Sequence, residues 1–124
     1  MKTHIRRFKL SDTFIEQYRD REVPWGPLGY VTFKRTYARR LSEFDEEATG
    51  TEEWFQTCRR VIEGMFEMQK QHVYKLGLEW NDAKSQATAK DAYERLFPLK
   101  WTPPGRGLWM MGTKFVNDRT AAGL

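Results

Sequence analysis

From Trp54 onward, apolar residues recur at Trp54, Cys58, Val61, Ile62, Met65 and Phe66. Steps of three and four place all six on one face of a helix. A stripe this continuous has to be covered by other elements, so the chain should build its core around this helix. Carboxylates between Glu43 and Glu53 precede its first turn, where they favour the positive end of the helix dipole. The helix is expected to run through His72 and Leu76 to a stop at Gly77. Gly64 in its middle should weaken it by up to ~1 kcal/mol relative to alanine.

The other elements follow from punctuation and period. Ser11-Asp12 is a plausible cap for a short helix reaching Tyr18. Pro24, Gly26, Pro27 and Gly29 mark a turn or loop over 23–30, and Phe33, Tyr37, Ala38 and Leu41 predict a helix from Val31 to Leu41. Asn81 caps a helix that turns Ala89, Ala92, Tyr93, Leu96 and Phe97 inward and ends at Pro98. Trp101 to Gly107 reads as a loop, and Leu108-Trp109-Met110-Met111 as a buried strand or a turn of helix. From Asn117 to Leu124 the residues become small and polar and carry no stop chemistry, as though the chain were cut inside an element. The expected fold is mainly α: a helical region over 1–100, then a Gly/Pro-rich segment over 101–124 with one or two short strands near the C-terminal end.

The length of 124 residues, 40% of them hydrophobic and 15% aromatic, suits one folded unit and argues against disorder. No apolar run approaches the ~18–20 residues that span a bilayer, and no apolar stretch follows Lys2, Arg6 and Arg7, so a cytoplasmic protein without membrane partners is expected. A single cysteine, Cys58, with the distant His4 and His72, completes neither an internal disulfide nor a structural metal site. The net charge of +4 is uneven: +6 over 1–40, −6 over 41–67 and +4 over 68–124. That layout suits an anionic partner or an acidic surface.

Few residues carry obvious chemistry. Cys58 lies in the apolar stripe and reads as a core thiol, His72 as a solvated side chain, and Glu43, Asp45, Glu46 and Glu47 as an acidic loop without calcium-loop spacing. Between Pro103 and Lys114, Gly105, Gly107 and Gly112 allow close backbone approach, Arg106 and Lys114 supply positive charge, and Thr113 a hydroxyl. The segment therefore reads as a phosphate-contacting loop or a structural turn. Tyr30 to Arg40 interleaves basic and aromatic residues and reads as a nucleic-acid surface or as a helix with an aromatic inner face.

Two blocks together, Pro24-Trp25-Gly26-Pro27-Leu28-Gly29-Tyr30 running on to Arg39, and Thr102-Pro103-Pro104-Gly105-Arg106-Gly107-Leu108-Trp109-Met110-Met111-Gly112-Thr113, resemble the N-terminal region of the adenosylcobalamin-dependent (class II) ribonucleotide reductases of the monomeric ribonucleoside-triphosphate type. Thr51 to Gly64 is similar to the helix that lies between them. The resemblance implies an enzyme built on a ten-stranded α/β barrel that lies outside this chain. In it, a cobalamin-generated thiyl radical removes the ribose 3′ hydrogen, and a cysteine pair, restored by a thioredoxin-like reductant, supplies electrons. It places the first reducing cysteine in an Asn-Cys sequence shortly after Gly112-Thr113, beyond Leu124. The catalytic residues and the cobalamin-binding surface are then expected outside this chain, and the 124-residue chain alone to be inactive. Gly105, Arg106, Gly107, Gly112 and Thr113 become candidates for lining the nucleotide side of the site, and Arg35, Tyr37 and Arg39 for anchoring the region to the barrel. The implied partners are a ribonucleoside triphosphate, the reductant and, for a split enzyme, the remaining reductase polypeptide. A non-catalytic module that binds nucleotide, nucleic acid or a reductase chain is the alternative.

Overall fold

A computed structural model describes residues 7–103 and 105–113. Five α-helices occur among them: α1 (Asp12–Glu16), α2 (Gly26–Thr36), α3 (Trp54–Lys75), α4 (Asp82–Leu96) and α5 (Gly105–Met110), with a 3-10 turn at Leu41–Glu43. The long amphipathic run forms α3, which packs against α1, α4 and α5. Its start is fixed by a capping box, in which the Gln56 side chain accepts from the Glu53 amide at 2.8 Å while the Glu53 carboxylate receives the Gln56 amide. Gly77, at φ +72°, supplies the left-handed turn after its last residues. At α4, the Asn81 side chain accepts from the Lys84 amide at 3.0 Å, the cap expected there.

The stripe of α3 meets Ala89, Tyr93, Leu96 and Phe97 from the region of α4, and Cys58, Val61 and Ile62 are fully buried. Burial of a side chain of Val or Ile size contributes ~1.5–3 kcal/mol, which makes this contact the main source of stability. Aromatic rings extend the core: Tyr18 stacks edge-on against Tyr93, and Trp25 lies against Phe33 and Trp54. Two of them have their polar ends satisfied. The Tyr93 hydroxyl donates to the Phe55 carbonyl at 2.9 Å, and the Trp54 indole N–H to the Phe97 carbonyl at 2.8 Å.

The polar side of α3 is also covered. Arg59, Glu63 and Glu67 recur every four residues and take up the backbone of the segment 8–10. Glu67 accepts from the Phe8 amide and Glu63 from the Leu10 amide, both at 2.8 Å, while Arg59 donates to the Leu10 carbonyl at 2.9 Å. Side chains here do the pairing that a neighbouring strand would otherwise supply.

The structure differs from expectation in two places. Helix α2 starts at Gly26, inside the stretch expected to be a loop, and ends at Thr36, short of Leu41. Pro27 falls in its first turn, where the missing N–H has no helical partner to lose. The far end is claimed by backbone pairing: Glu52 N–H donates to the Arg39 carbonyl at 2.8 Å and Leu41 N–H to the Gly50 carbonyl at 3.0 Å, around a bridge between Arg40 and Thr51. The second difference is the expected C-terminal strand. Of the two readings of Leu108 to Met111 the turn of helix is the one formed: α5 begins at Gly105, inside the stretch Trp101 to Gly107 expected to be a loop, and runs to Met110, and no strand occurs among the described residues. An apolar run of four residues is too short for its period to tell the two apart. The expectation of a cut element at 117–124 lies outside the described residues.

Candidate functional site

A buried ion pair joins the two blocks singled out in the sequence. Arg60, on α3, and Glu52, just before it, have side chains only 4% and 3% exposed and meet at 2.9 Å. The Arg60 guanidinium bonds Glu52 through Nε and Nη2. Its remaining protons go to backbone carbonyls: Met111 at 2.7 Å, Trp109 at 3.3 Å, Leu108, and Tyr37 at 3.5 Å. Three of these carbonyls belong to the last turn of α5 and the residue after it, so Arg60 serves as the cationic C-cap of that short helix. Glu52 also accepts from the Arg39 amide at 2.9 Å and the Thr57 hydroxyl at 3.0 Å. Every arm of the pair thus ends on the segment after α2, on α3, or on α5 and the residue after it.

Two glycines bring the backbones together. A Cβ on Gly64 would stand 2.2 Å from the Gly112 nitrogen, and one on Gly112, at φ +77°, 2.2 Å from the Arg60 carbonyl oxygen. Gly64 therefore marks the place where the turn after α5 rests on α3, a contact worth more than the helix propensity it sacrifices.

The expected nucleotide-lining residues are placed together around this point. Gly105 and Gly107 are partly buried in α5, and Gly105 faces the Tyr37 ring, whose hydroxyl oxygen is 3.0 Å from where a Cβ would be. Gly112 forms the turn, and Thr113 is buried with its hydroxyl donating to the Met110 carbonyl at 2.7 Å. Arg106 lies in α5, and its side chain is outside the described residues, as is Lys114. Of the expected anchors, Tyr37 and Arg39 join the cluster, and the Arg39 guanidinium lies 4.5 Å from the centre of the Trp109 ring while pairing with Glu43. Arg35 is exposed on α2, away from these bonds.

Sequence reasoning missed Glu52 and Arg60. The available signal was Gly64, four residues after Arg60: a glycine inside a strongly periodic helix points to a close neighbour on that side. Thr57, Arg60, Gly64 and Glu67 form a second buried stripe that a hydrophobicity pattern does not register.

Neither Cys58 nor Tyr93 is prepared as a nucleophile. Burial pushes the Cys58 thiol well above its usual range, and the Tyr93 hydroxyl is likewise pushed up by burial. His72 is exposed, and so are Glu43, Asp45, Glu46 and Glu47. Among the described residues no group of three His, Cys, Asp or Glu side chains could hold a metal ion, and no helix is long and apolar enough to cross a membrane. The best-formed groove, about 550 Å³, runs beside α3, and its charges are largely paired: Arg59 with Asp12 and Glu63, Arg19 with Glu16.

Comparison with known proteins gives the cluster a context. The chain is 38% identical over 96% of its length to a probable adenosylcobalamin-dependent ribonucleoside-triphosphate reductase of Dictyostelium discoideum. It is 39% identical over 91% of its length to the adenosylcobalamin-dependent ribonucleoside-triphosphate reductase of Euglena gracilis. In both cases it spans about 15% of the relative's length. A crystal structure of a B12-dependent (class II) ribonucleotide reductase superposes with a TM-score of 0.70 at 32% identity, covering 86% of this chain and 14% of that one. The ribonucleotide reductase alpha domain family matches residues 10–113, a range that holds both blocks, the Glu52–Arg60 pair and the Gly64–Gly112 contact, and the chain belongs to that family.

Proposed function

We propose that this chain forms the N-terminal section of an adenosylcobalamin-dependent ribonucleoside-triphosphate reductase, acting in the cytoplasm. The observation that carries the reading is the 38% identity sustained over 96% of the chain with a relative of that name. In this reading residues 1–100 are a helical support, and 101–124 lead into a barrel contributed by further polypeptide, in the same chain or as a separate partner. Gly105, Arg106, Gly107, Gly112 and Thr113 line the nucleotide side, and Arg35, Tyr37 and Arg39 anchor the section. Adenosylcobalamin, bound by residues outside this chain, would supply the radical chemistry by which a thiyl radical removes the ribose 3′ hydrogen. A downstream cysteine pair then provides electrons that a thioredoxin-like reductant restores. This chain's part is to hold the backbone at the wall of the site.

The alternative of a nucleic-acid module is weakened by how Tyr30–Arg40 is used. Lys34 bonds Glu53 and the carbonyls of Thr51 and Glu52, and Arg39 is taken up by Glu43 and Trp109. Docking on further reductase polypeptide is favoured instead by Leu28 and Val31, 79% and 49% exposed and one turn apart on α2. The test is deoxyribonucleotide formation by a polypeptide carrying this section and its reductase remainder, supplied with adenosylcobalamin and a dithiol. Arg106→Glu there should raise KM for the triphosphate or lower kcat/KM. Unchanged kinetics would remove Arg106 from the site.

A further inference from the structure

We propose that Glu52 and Arg60 are positioning residues that set where the Gly105–Thr113 segment stands, and through it the nucleotide side of the reductase site; the second half rests on the function proposed above. A helix of six residues is too short to hold its own conformation in water, so α5 takes its geometry from what receives its ends. Its C-terminal end is received by the Arg60 guanidinium, bonded to the carbonyls of Leu108, Trp109 and Met111, with only the Met110 carbonyl left to the local bonds from Thr113. That guanidinium is itself aimed by a carboxylate, which the Thr57 hydroxyl and the Arg39 amide hold in turn. The Gly64–Gly112 approach leaves no space for the segment to move closer to α3. The bonds to Tyr37 and Arg39 tie the same pair to the chain leaving α2, so both sequence blocks share one reference point.

The chemistry requires arginine. A planar fork with five N–H donors can meet a carboxylate and several carbonyls at once, whereas a lysine ammonium carries the same charge without the fork. Arg60→Lys therefore separates charge from geometry, and Glu52→Gln keeps the shape of the acid while removing its charge. Thr57→Val, which takes one donor from Glu52 and preserves shape, is the milder third variant and keeps the test open if the other two fail to fold.

The experiment uses the complete reductase carrying this section, with hydrogen exchange read by mass spectrometry and steady-state kinetics on a ribonucleoside triphosphate. Peptides over 105–113 should exchange about tenfold faster in the Lys and Gln variants, and less so in Thr57→Val, while the α3–α4 core keeps its protection. KM for the triphosphate should rise with the loosening. A merely structural pair would loosen the core and the segment together, or neither, and that result overturns the positioning role. A loosened segment with unchanged KM and kcat leaves the positioning of the segment standing and refutes its place beside the nucleotide.

Discussion

Replacing Gly64 by alanine sets two physical effects against each other, and the structure decides the winner. On helix propensity alone the variant should gain about 1 kcal/mol, because alanine loses less backbone freedom in a helix. The new methyl, however, would stand 2.2 Å from the Gly112 nitrogen and 2.5 Å from its Cα. These are backbone atoms of a turn held by Arg60, so no flexible side chain can swing aside. Overpacking of this kind costs about 1–3 kcal/mol. Withdrawal of the turn also stretches the charged bonds to the Met111 and Trp109 carbonyls, each worth about 1.5–3 kcal/mol. With partial loss of those bonds the net expectation is destabilisation by about 2–4 kcal/mol, or roughly 10 °C or more in Tm for a chain of this size. Urea unfolding followed by tryptophan fluorescence measures it. A variant more stable than the parent by the propensity gain would show that the Met111–Gly112 turn does not rest on α3.

Three further outcomes follow from single observations. Cys58, fully buried with its thiol pushed up, should resist alkylation in the native protein at pH 8 and react at once in denaturant; rapid native labelling would contradict the core packing. Glu63 should titrate above the ordinary carboxylate range, because burial outweighs the bonds from Arg59 and Leu10. A raised acid favours the folded state at low pH and loses that contribution as pH rises from the ordinary carboxylate value through the folded one, so Glu63→Gln should flatten stability over that window, and NMR titration at or below the ordinary value would refute the sign. Tyr93→Phe, which removes the donor to the Phe55 carbonyl and keeps the ring stack with Phe97, should cost about 1 kcal/mol in chemical denaturation, and a loss as large as that of a core truncation would mean the ring itself had shifted.

The central helix, its apolar partners and the caps at Asn81 and Gly77 were legible because each depends on local chemistry and a single period. Cys58 and the inward face of α4 were placed correctly for the same reason. The extent of α2 was not, since its end is decided by backbone pairing with residues Gly50 to Glu52, which are distant in sequence. The choice between helix and strand at Leu108–Met110 was open likewise: Arg60, remote in the chain, receives the carbonyls that a strand would have offered to a neighbour. Of the candidate cluster, sequence reading supplied the glycines, Tyr37 and Arg39. It missed the ion pair that organises them, because a charged residue within a helix is ordinarily read as solvated.

The most direct measurement replaces the corresponding section of the Euglena gracilis relative with residues 1–124 and assays deoxyribonucleotide formation with adenosylcobalamin and a dithiol. The account predicts cobalamin-dependent turnover that falls when Arg60 is replaced by lysine. A folded chimera of native secondary structure that binds triphosphate and cobalamin but forms no deoxyribonucleotide would contradict it.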